Sequence, residues 1–219
     1  MIAAQLINTS LPKLLASDTV AKAIDLMDDF NLTHLPLLKD STYLGILSDT
    51  FLMEQDEDRQ LETLADNLIQ PYIFEDQHVL DAFTLVGSYK VSIVPVLNRE
   101  KVYVGCISKS DLVNVITALT AIQQPGGIII LEMLPQDFTM TQIAQIVEGN
   151  NARILASYVT AQVGTNKIEV TLKINKEDLS SVLQTFNRYN YTVKSTFHES
   201  IDDEELHRRY EQFMKFINM

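Results

Sequence analysis

The chain has 219 residues, of which 46% are apolar, and a formal net charge of −12. This size and composition predict a folded protein with one large domain or two small ones, while the acidic balance argues against nucleic acid and anionic membranes as partners. No apolar run reaches the roughly 18 residues of a membrane helix, and the single cysteine, Cys106, cannot form an internal disulfide, so we expect a cytoplasmic protein.

One pattern of a helix, two short strands and a second helix occurs twice in the N-terminal half. The first copy reads SDTVAKAIDLMDDF, HLPLLKD and TYLGILSD, and the second reads QHVLDAFTLVGSYK, IVPVLNRE and VYVGCISK. Apolar residues at helical spacing predict the helices, and the short apolar runs predict the strands. Three residue types hold matching places in the two copies: Pro36 and Pro95, Gly45 and Gly105, and Ser48 and Ser108. We expect the copies, at about 1–60 and 61–122, to pack around a pseudo-twofold axis.

The two copies resemble a tandem pair of cystathionine-beta-synthase (CBS) domains, also called a Bateman module. The resemblance lies in TVAKAIDLM, HLPLL and YLGILS of the first copy and in HVLDAF, IVPVL and YVGCISKSDL of the second. The resemblance covers about residues 1–122. It implies a regulatory module that binds an adenosine-containing ligand, such as AMP, ADP, ATP or S-adenosylmethionine, in a cleft between the repeats. The ligand would act as a regulator, and no cofactor is required.

The end of the second copy carries the polar groups for such a ligand. Asp111 stands where the resemblance places a ribose-binding aspartate, and an ionised carboxylate can accept from both ribose hydroxyls. Ser108 and Ser110 precede a helix, whose free N–H groups and dipole favour a phosphate. The same three residues also fit a helix cap, with Ser108 or Ser110 as the capping residue. The sequence leaves both interpretations open.

The resemblance completes this cleft with residues from the beginning of the chain and from the first copy. The N-terminal contribution lies around Thr9–Lys13, with Lys13 as its cation. Leu32 and Thr33 come just before the HLP strand. His34 stands where relatives often carry a basic phosphate ligand, although it fits an ordinary strand histidine equally well.

The corresponding aspartate position of the first copy is occupied by Phe51, which accepts no hydrogen bond. Buried ribose hydroxyls without an acceptor cost roughly 1–3 kcal/mol. Asp49 lies nearby, but two positions early on the helix. We therefore expect one adenosyl site rather than two, with Ser48 kept as a helix cap.

The last third of the chain changes pattern. From about 126 to 198, strand and helix signals follow the order βαββαβ, which predicts a ferredoxin-like domain and makes the whole chain α/β (α+β). This stretch resembles an ACT domain, a small regulatory fold that often binds amino acids. Its first strand–helix loop, PQDFTM, lacks the glycine common in amino-acid-binding relatives, so dimerisation is the expected role. Residues 200–219 are expected to form one amphipathic helix.

The sequence contains no signature of catalysis. It has no glycine-rich phosphate loop and no G-x-S-x-G elbow, and its histidines show no metal-ligand spacing with one another or with Cys106. We therefore expect neither an enzyme nor a metal site.

A CBS pair followed by an ACT-like domain resembles the acetoin-utilisation regulator family. The leading hypothesis is a homodimeric adenosyl-nucleotide sensor that regulates another, unidentified protein. A ligand-independent dimeric interaction scaffold and an amino-acid sensor that acts through the ACT-like domain are the alternatives.

Overall fold

The computed structural model describes residues 1–197, so the helix predicted at 200–219 lies outside the described residues. The chain forms two compact units, Met1–Val115 and a second that begins at Ile116. Within residues 1–197, no helix combines the length and the apolar character needed to cross a bilayer.

Two copies of one motif build the first unit. The elements of the first copy are β1 (Leu14–Leu15), α1 (Val20–Asp29), β2 (His34–Lys39), β3 (Thr42–Ser48) and α2 (Asp49–Leu52). Those of the second copy are β4 (Ile73–Phe74), α3 (Leu80–Tyr89), β5 (Ile93–Leu97), β6 (Tyr103–Ser108) and α4 (Lys109–Leu119). Each copy has a three-stranded sheet in which the first two strands are parallel and the last two antiparallel. The predicted α/β repeat is confirmed.

The loop before α1 is held by a buried carboxylate. Asp18 Oδ2 accepts from the backbone N–H of Leu15 at 2.8 Å, and Asp18 Oδ1 accepts from Lys22 Nζ at 2.6 Å. The cap of α1 is Thr19, whose Oγ1 accepts from Lys22 N. Asp18 lies one residue before this cap, and its carboxylate closes the turn between β1 and α1.

The N-terminal segment crosses to the second repeat before it enters the first. Ala3 N donates to Gln77 O at 2.9 Å, and Asn8 N donates to Cys106 O in β6 at 2.9 Å. Ala3 is fully buried. The second repeat is thus completed by residues that precede the first.

The linker between the repeats makes the reciprocal crossing. Leu61 N donates to Asp18 O at 2.9 Å, and Ile46 N in β3 donates to Ile69 O at 3.1 Å. The acidic stretch between the repeats contains a 3₁₀-helix, Leu61–Asn67, whose first residue is fully buried. Each repeat therefore depends on the segment that leads into the other, and their apolar side chains form one shared core.

The repeated glycine has a physical reason at these crossings. A Cβ on Gly105 would lie 2.5 Å from Ile7 Cγ2, and one on Gly45 would lie 2.5 Å from Leu68 Cβ. Both glycines also have positive φ angles, +148° and +150°. Only a residue without a side chain lets the crossing segment lie directly on the strand.

The second unit has the predicted βαββαβ order. Its elements are β7 (Gly127–Met133), α5 (Met140–Gly149), β8 (Ile154–Ala161), β9 (Ile168–Ile174), α6 (Ser180–Arg188) and β10 (Thr192–Phe197). The strands form an antiparallel sheet in the order β10-β7-β9-β8. This is the ferredoxin-like order, and apolar residues of both helices and of the sheet form its separate core. Gly149 is the last helical residue of α5, and the left-handed residue after the helix is Asn151, with φ 54°.

We expect Gly105→Ala to lower the free energy of unfolding by about 2 kcal/mol or more, because it adds a clash with Ile7 at a positive φ. Gly87→Ala is the matched control: it lies in α3 of the same unit, and nothing would lie within 4 Å of its new Cβ. That change should raise the free energy of unfolding by roughly 0.5–1 kcal/mol. Urea denaturation measures both values, and equal stability of wild type and Gly105→Ala would contradict the close crossing.

We expect Asp18→Ala to lower the free energy of unfolding by about 1–3 kcal/mol, because it leaves the Leu15 N–H without its acceptor. Lys22→Ala removes only the ion pair of an exposed lysine and should cost less than about 1 kcal/mol. Thermal unfolding of both variants separates these contributions. A larger loss for Lys22→Ala than for Asp18→Ala would show that the ion pair, and not the turn, is the important contact.

Candidate functional site

The beginning of α4 is closed by a reciprocal pair of residues. Ser108 Oγ donates to Asp111 Oδ2 at 2.6 Å, and Ser108 N donates to the same oxygen at 3.2 Å. In return, Asp111 N donates to Ser108 Oγ at 3.0 Å. This is the geometry of a capping box, which satisfies backbone N–H groups at the start of a helix and fixes the side chains that take part.

The capping box leaves specific polar groups for a ligand. Within the described residues, the hydrogen bonds to the Asp111 carboxylate go to Oδ2, so Oδ1 has free acceptor capacity. Ser108 is only 7% exposed, and its hydroxyl is committed to the cap. Ser110 is exposed, and its Oγ lies 2.7 Å from Ser108 Oγ. Of the two serines, Ser110 is the one whose hydroxyl is accessible to an incoming group.

The first repeat keeps only half of this arrangement. Ser48 Oγ accepts from Phe51 N at 3.2 Å, so the serine still caps its helix. The Phe51 side chain is 37% exposed and returns no hydrogen bond. Asp49 does not take the place of this carboxylate in the cap, because its Oδ1 accepts from the backbone N–H of the neighbouring Thr50 at 2.5 Å and not from Ser48. The two helix starts are alike in backbone and different in chemistry.

Three of the predicted residues lie beside the helix start of the first repeat. Asp49 N donates to Thr33 O at 3.0 Å, and His34 pairs with Ser48 across β2 and β3. Leu32 is half-buried against the shared core. Their described hydrogen bonds go to the first repeat and none goes to the Ser108–Asp111 group.

Lys13 is exposed and comes directly before β1, which pairs with β2. The segment from Asn8 to Lys13 leads from β6 of the second repeat to the sheet of the first. The structure therefore joins Ser108, Ser110 and Asp111 by direct contacts. It connects Lys13 to that group only through the course of the chain.

Burial lowers the pKa of the His34 imidazole below the ordinary histidine value, against the opposing influence of the nearby Asp49 carboxylate. The ring is therefore neutral at pH 7. Its Nδ1 lies 2.9 Å from Thr33 Oγ1. At neutral pH, His34 can supply a hydrogen bond to a ligand but not a positive charge.

Sequence reasoning missed Ser92. Its carbonyl accepts from Lys109 N at 2.9 Å, and the next residue, Ile93, pairs with Ser108. Its Oγ is buried and finds no hydrogen-bond partner among the described residues. Ser92 holds the position in the second repeat that Thr33 holds in the first, so alignment of the two copies would have identified it.

Residues 1–197 contain neither a reactive thiol nor a cluster of metal-ligating side chains. Burial raises the pKa of the Cys106 thiol, which is therefore protonated at neutral pH. Between residues 1 and 197, the histidine, cysteine and acidic side chains form no group of three that could hold a metal ion.

Comparison with solved structures finds chains that align with just over half of this protein. A CBS domain pair/ACT domain protein from Thermotoga maritima is 17% identical, with a TM-score of 0.49, and the alignment covers 53% of this chain and 96% of that one. A putative acetoin utilization protein (AcuB) from Vibrio cholerae is 20% identical, with a TM-score of 0.47 and coverages of 56% and 95%. CBSX2, solved in complex with AMP, is 18% identical, with a TM-score of 0.48 and coverages of 56% and 98%.

The family comparison covers the repeats that carry the site. The CBS domain family matches residues 3–50 and, again, residues 67–118. Both matches agree with the duplicated elements and with the paired crossings at Gly45 and Gly105. The N-terminal part of this chain is therefore a tandem pair of CBS domains.

Proposed function

We propose that this protein is a cytoplasmic, homodimeric regulatory sensor that binds one adenosine-containing nucleotide at the start of α4 and controls a partner protein. CBS domain pairs are regulatory, nucleotide-binding modules. Beyond this general role, we assign one nucleotide site to each chain and name the residues that form it. In this role the protein has no catalytic activity of its own.

The observation that carries the proposal is the Asp111 carboxylate. Ser108 holds it through two hydrogen bonds to Oδ2, so the free Oδ1 is fixed in position before a ligand arrives. A fixed acceptor loses little side-chain entropy on binding, and an ionised oxygen forms strong hydrogen bonds to hydroxyl donors. The vicinal hydroxyls of a ribose provide two such donors.

The helix behind Asp111 supports binding of the phosphate. α4 has 11 residues, whereas α2 of the first repeat has four. A longer helix concentrates a larger partial positive charge at its N-terminus, where Ser110 offers an exposed hydroxyl. The exposed Lys13 is the candidate cation, because the neutral His34 adds no charge at pH 7.

The absence of an acceptor at Phe51 supports one nucleotide rather than two. The capping serine of the first repeat matches that of the second, but the residue three positions later is Phe51 in the first repeat and Asp111 in the second. A ribose placed there would lack its carboxylate partner.

A second candidate function is amino-acid sensing by the second unit. A cavity of about 350 Å³ lies beside the first strand–helix loop, lined by both charged and aromatic side chains that include Glu132, Asp137, Lys167, Tyr189 and Tyr191. An amino acid carries both charges and would find partners there. The Glu132 carboxylate already accepts from Lys167 Nζ at 2.5 Å, so a ligand would have to compete with this ion pair.

We expect Asp111→Ala to weaken AMP binding about 10- to 150-fold, equivalent to roughly 1.5–3 kcal/mol, because it removes the ribose acceptor. The loss of its capping role should cost only about 1 kcal/mol of stability, so the variant should remain folded. Calorimetric titration with AMP and ATP, together with a melting curve, measures both effects.

Phe51→Ala is the matched control, because it changes the same helix position in the other repeat. Its AMP affinity should stay within about twofold of wild type. Equal AMP affinity of wild type and Asp111→Ala would remove Asp111 from the site. No heat and no thermal shift with any nucleotide would favour the ligand-independent scaffold, and a shift with amino acids alone would favour the second candidate.

A further inference from the structure

The second unit has a cavity of about 400 Å³ on the face of its sheet opposite the core. The side chains of Leu172 and Ile174 belong to that core, so Lys173, which lies between them in β9 and lines the cavity, is on the other face. The volume falls in the range of small-molecule sites. One cation, two amides and three large apolar groups form most of the lining: Lys173, Gln123, Gln124, Ile122, Ile128 and Phe197.

Three of these side chains form a row across neighbouring strands. Lys173 of β9 pairs with Ile128 of β7, and Ile128 pairs with Phe197 of β10. Adjacent strands are about 4.8 Å apart, so the row spans roughly 10 Å. A cation stands at one end of the row, an aromatic ring at the other, and an aliphatic group between them.

The Lys173 ammonium is buried without a counter-ion. The residue is only 9% exposed, and its Nζ donates to Gly126 O at 3.0 Å. An ammonium has three N–H donors, so this carbonyl leaves two of them for other acceptors. Its neighbours across the strands are Ile128 and Ala156, which are both apolar. A buried charge is costly to maintain unless an opposite charge pairs with it.

The acidic residues on the same face of the sheet are already paired. Glu132 forms an ion pair with Lys167, and Glu169 forms one with Lys194. The ion pairs found within residues 1–197 do not include Lys173. An anionic ligand would therefore supply the counter-ion that the described part of the chain does not.

The remaining lining narrows the class of anion. A carboxylate has two acceptor oxygens, which match the Lys173 ammonium and the amide N–H groups of Gln123 or Gln124. The apolar surfaces of Ile128 and Phe197 favour a ligand with a hydrocarbon part over a bare inorganic anion. None of the described lining residues is acidic, so the α-ammonium of an amino acid would find no charged partner.

We propose that this cavity binds a small carboxylic acid with an apolar body, with its carboxylate at Lys173 and its body along Ile128 and Phe197. The site does not depend on the nucleotide site at the start of α4. It also differs from the cavity beside the first strand–helix loop, whose lining includes the carboxylates of Glu132 and Asp137.

The test uses three probes of one shape and the full-length protein. They are 3-phenylpropionate, its uncharged amide, and L-phenylalanine, which is the same acid with an added ammonium. We expect the acid to bind with a Kd of about 1 mM or tighter, and each of the other two probes about tenfold or more weakly. Titration followed by the NMR signals of the Ile128 and Lys173 backbone amides measures all three affinities.

Lys173→Met removes the ammonium and keeps a long apolar side chain. We expect it to weaken binding of 3-phenylpropionate about tenfold or more. Lys176→Met is the matched control, because this lysine lies in the same unit but its Nζ donates to Asn150 O and Ser181 Oγ, away from the cavity lining. Its affinity for the acid should stay within about twofold of wild type.

Three results would overturn the proposal: equal affinity of wild type for the acid and its amide, equal affinity of wild type and Lys173→Met for the acid, or no saturable binding of the acid up to about 20 mM. Tighter binding of L-phenylalanine than of the acid would also overturn it and would favour amino-acid sensing. A melting curve shows whether Lys173→Met is folded, and the comparison of acid with amide in wild type decides the question even if it is not.

Discussion

The exchange of leading segments between the two repeats is the constraint on which the CBS pair depends. Asn8 lies on β6 of the second repeat, and Ile69 lies on β3 of the first. Both crossings pass over a glycine that has no room for a side chain. Because each repeat is completed by residues from outside it, neither can form its full core alone, and the helix starts at Ser48 and Ser108 are held in one framework.

Within that shared framework, one side chain decides whether a helix start offers a carboxylate as a hydrogen-bond acceptor. Ser48 and Ser108 cap their helices through equivalent hydrogen bonds, so a duplicated backbone supplies two similar frames. At the third position after each serine, Asp111 returns a bond to its cap and keeps one oxygen free, whereas Phe51 offers no acceptor. Duplication thus preserves the capping role at both places and leaves a carboxylate with a free oxygen at one of them.

The sequence could predict the parts of the fold that depend on local pattern. Helical and strand periodicity, repeated in order, identifies the elements of both units. The Ser-x-x-Asp spacing at 108–111 fits the cap that the structure shows, although the sequence alone left a cap and a ligand site both open. It could not predict the crossings, because hydrogen bonds such as Asn8 to Cys106 join residues far apart in the chain. For the same reason the sequence could not show that Leu61, in the acidic linker, is buried. Ser92 could not be identified from its local sequence, because a serine before a strand indicates no function by itself. Its correspondence to Thr33 becomes visible only when the two repeats are aligned.

The central claim is that one of the two helix starts binds a nucleotide and the other does not. Isothermal titration of the wild-type chain with AMP, analysed for stoichiometry, tests it most directly. The account predicts one AMP per chain at saturation. Two AMP molecules per chain would show that Phe51 does not abolish the first site, and no binding at millimolar AMP would contradict the assignment of a nucleotide site to Asp111.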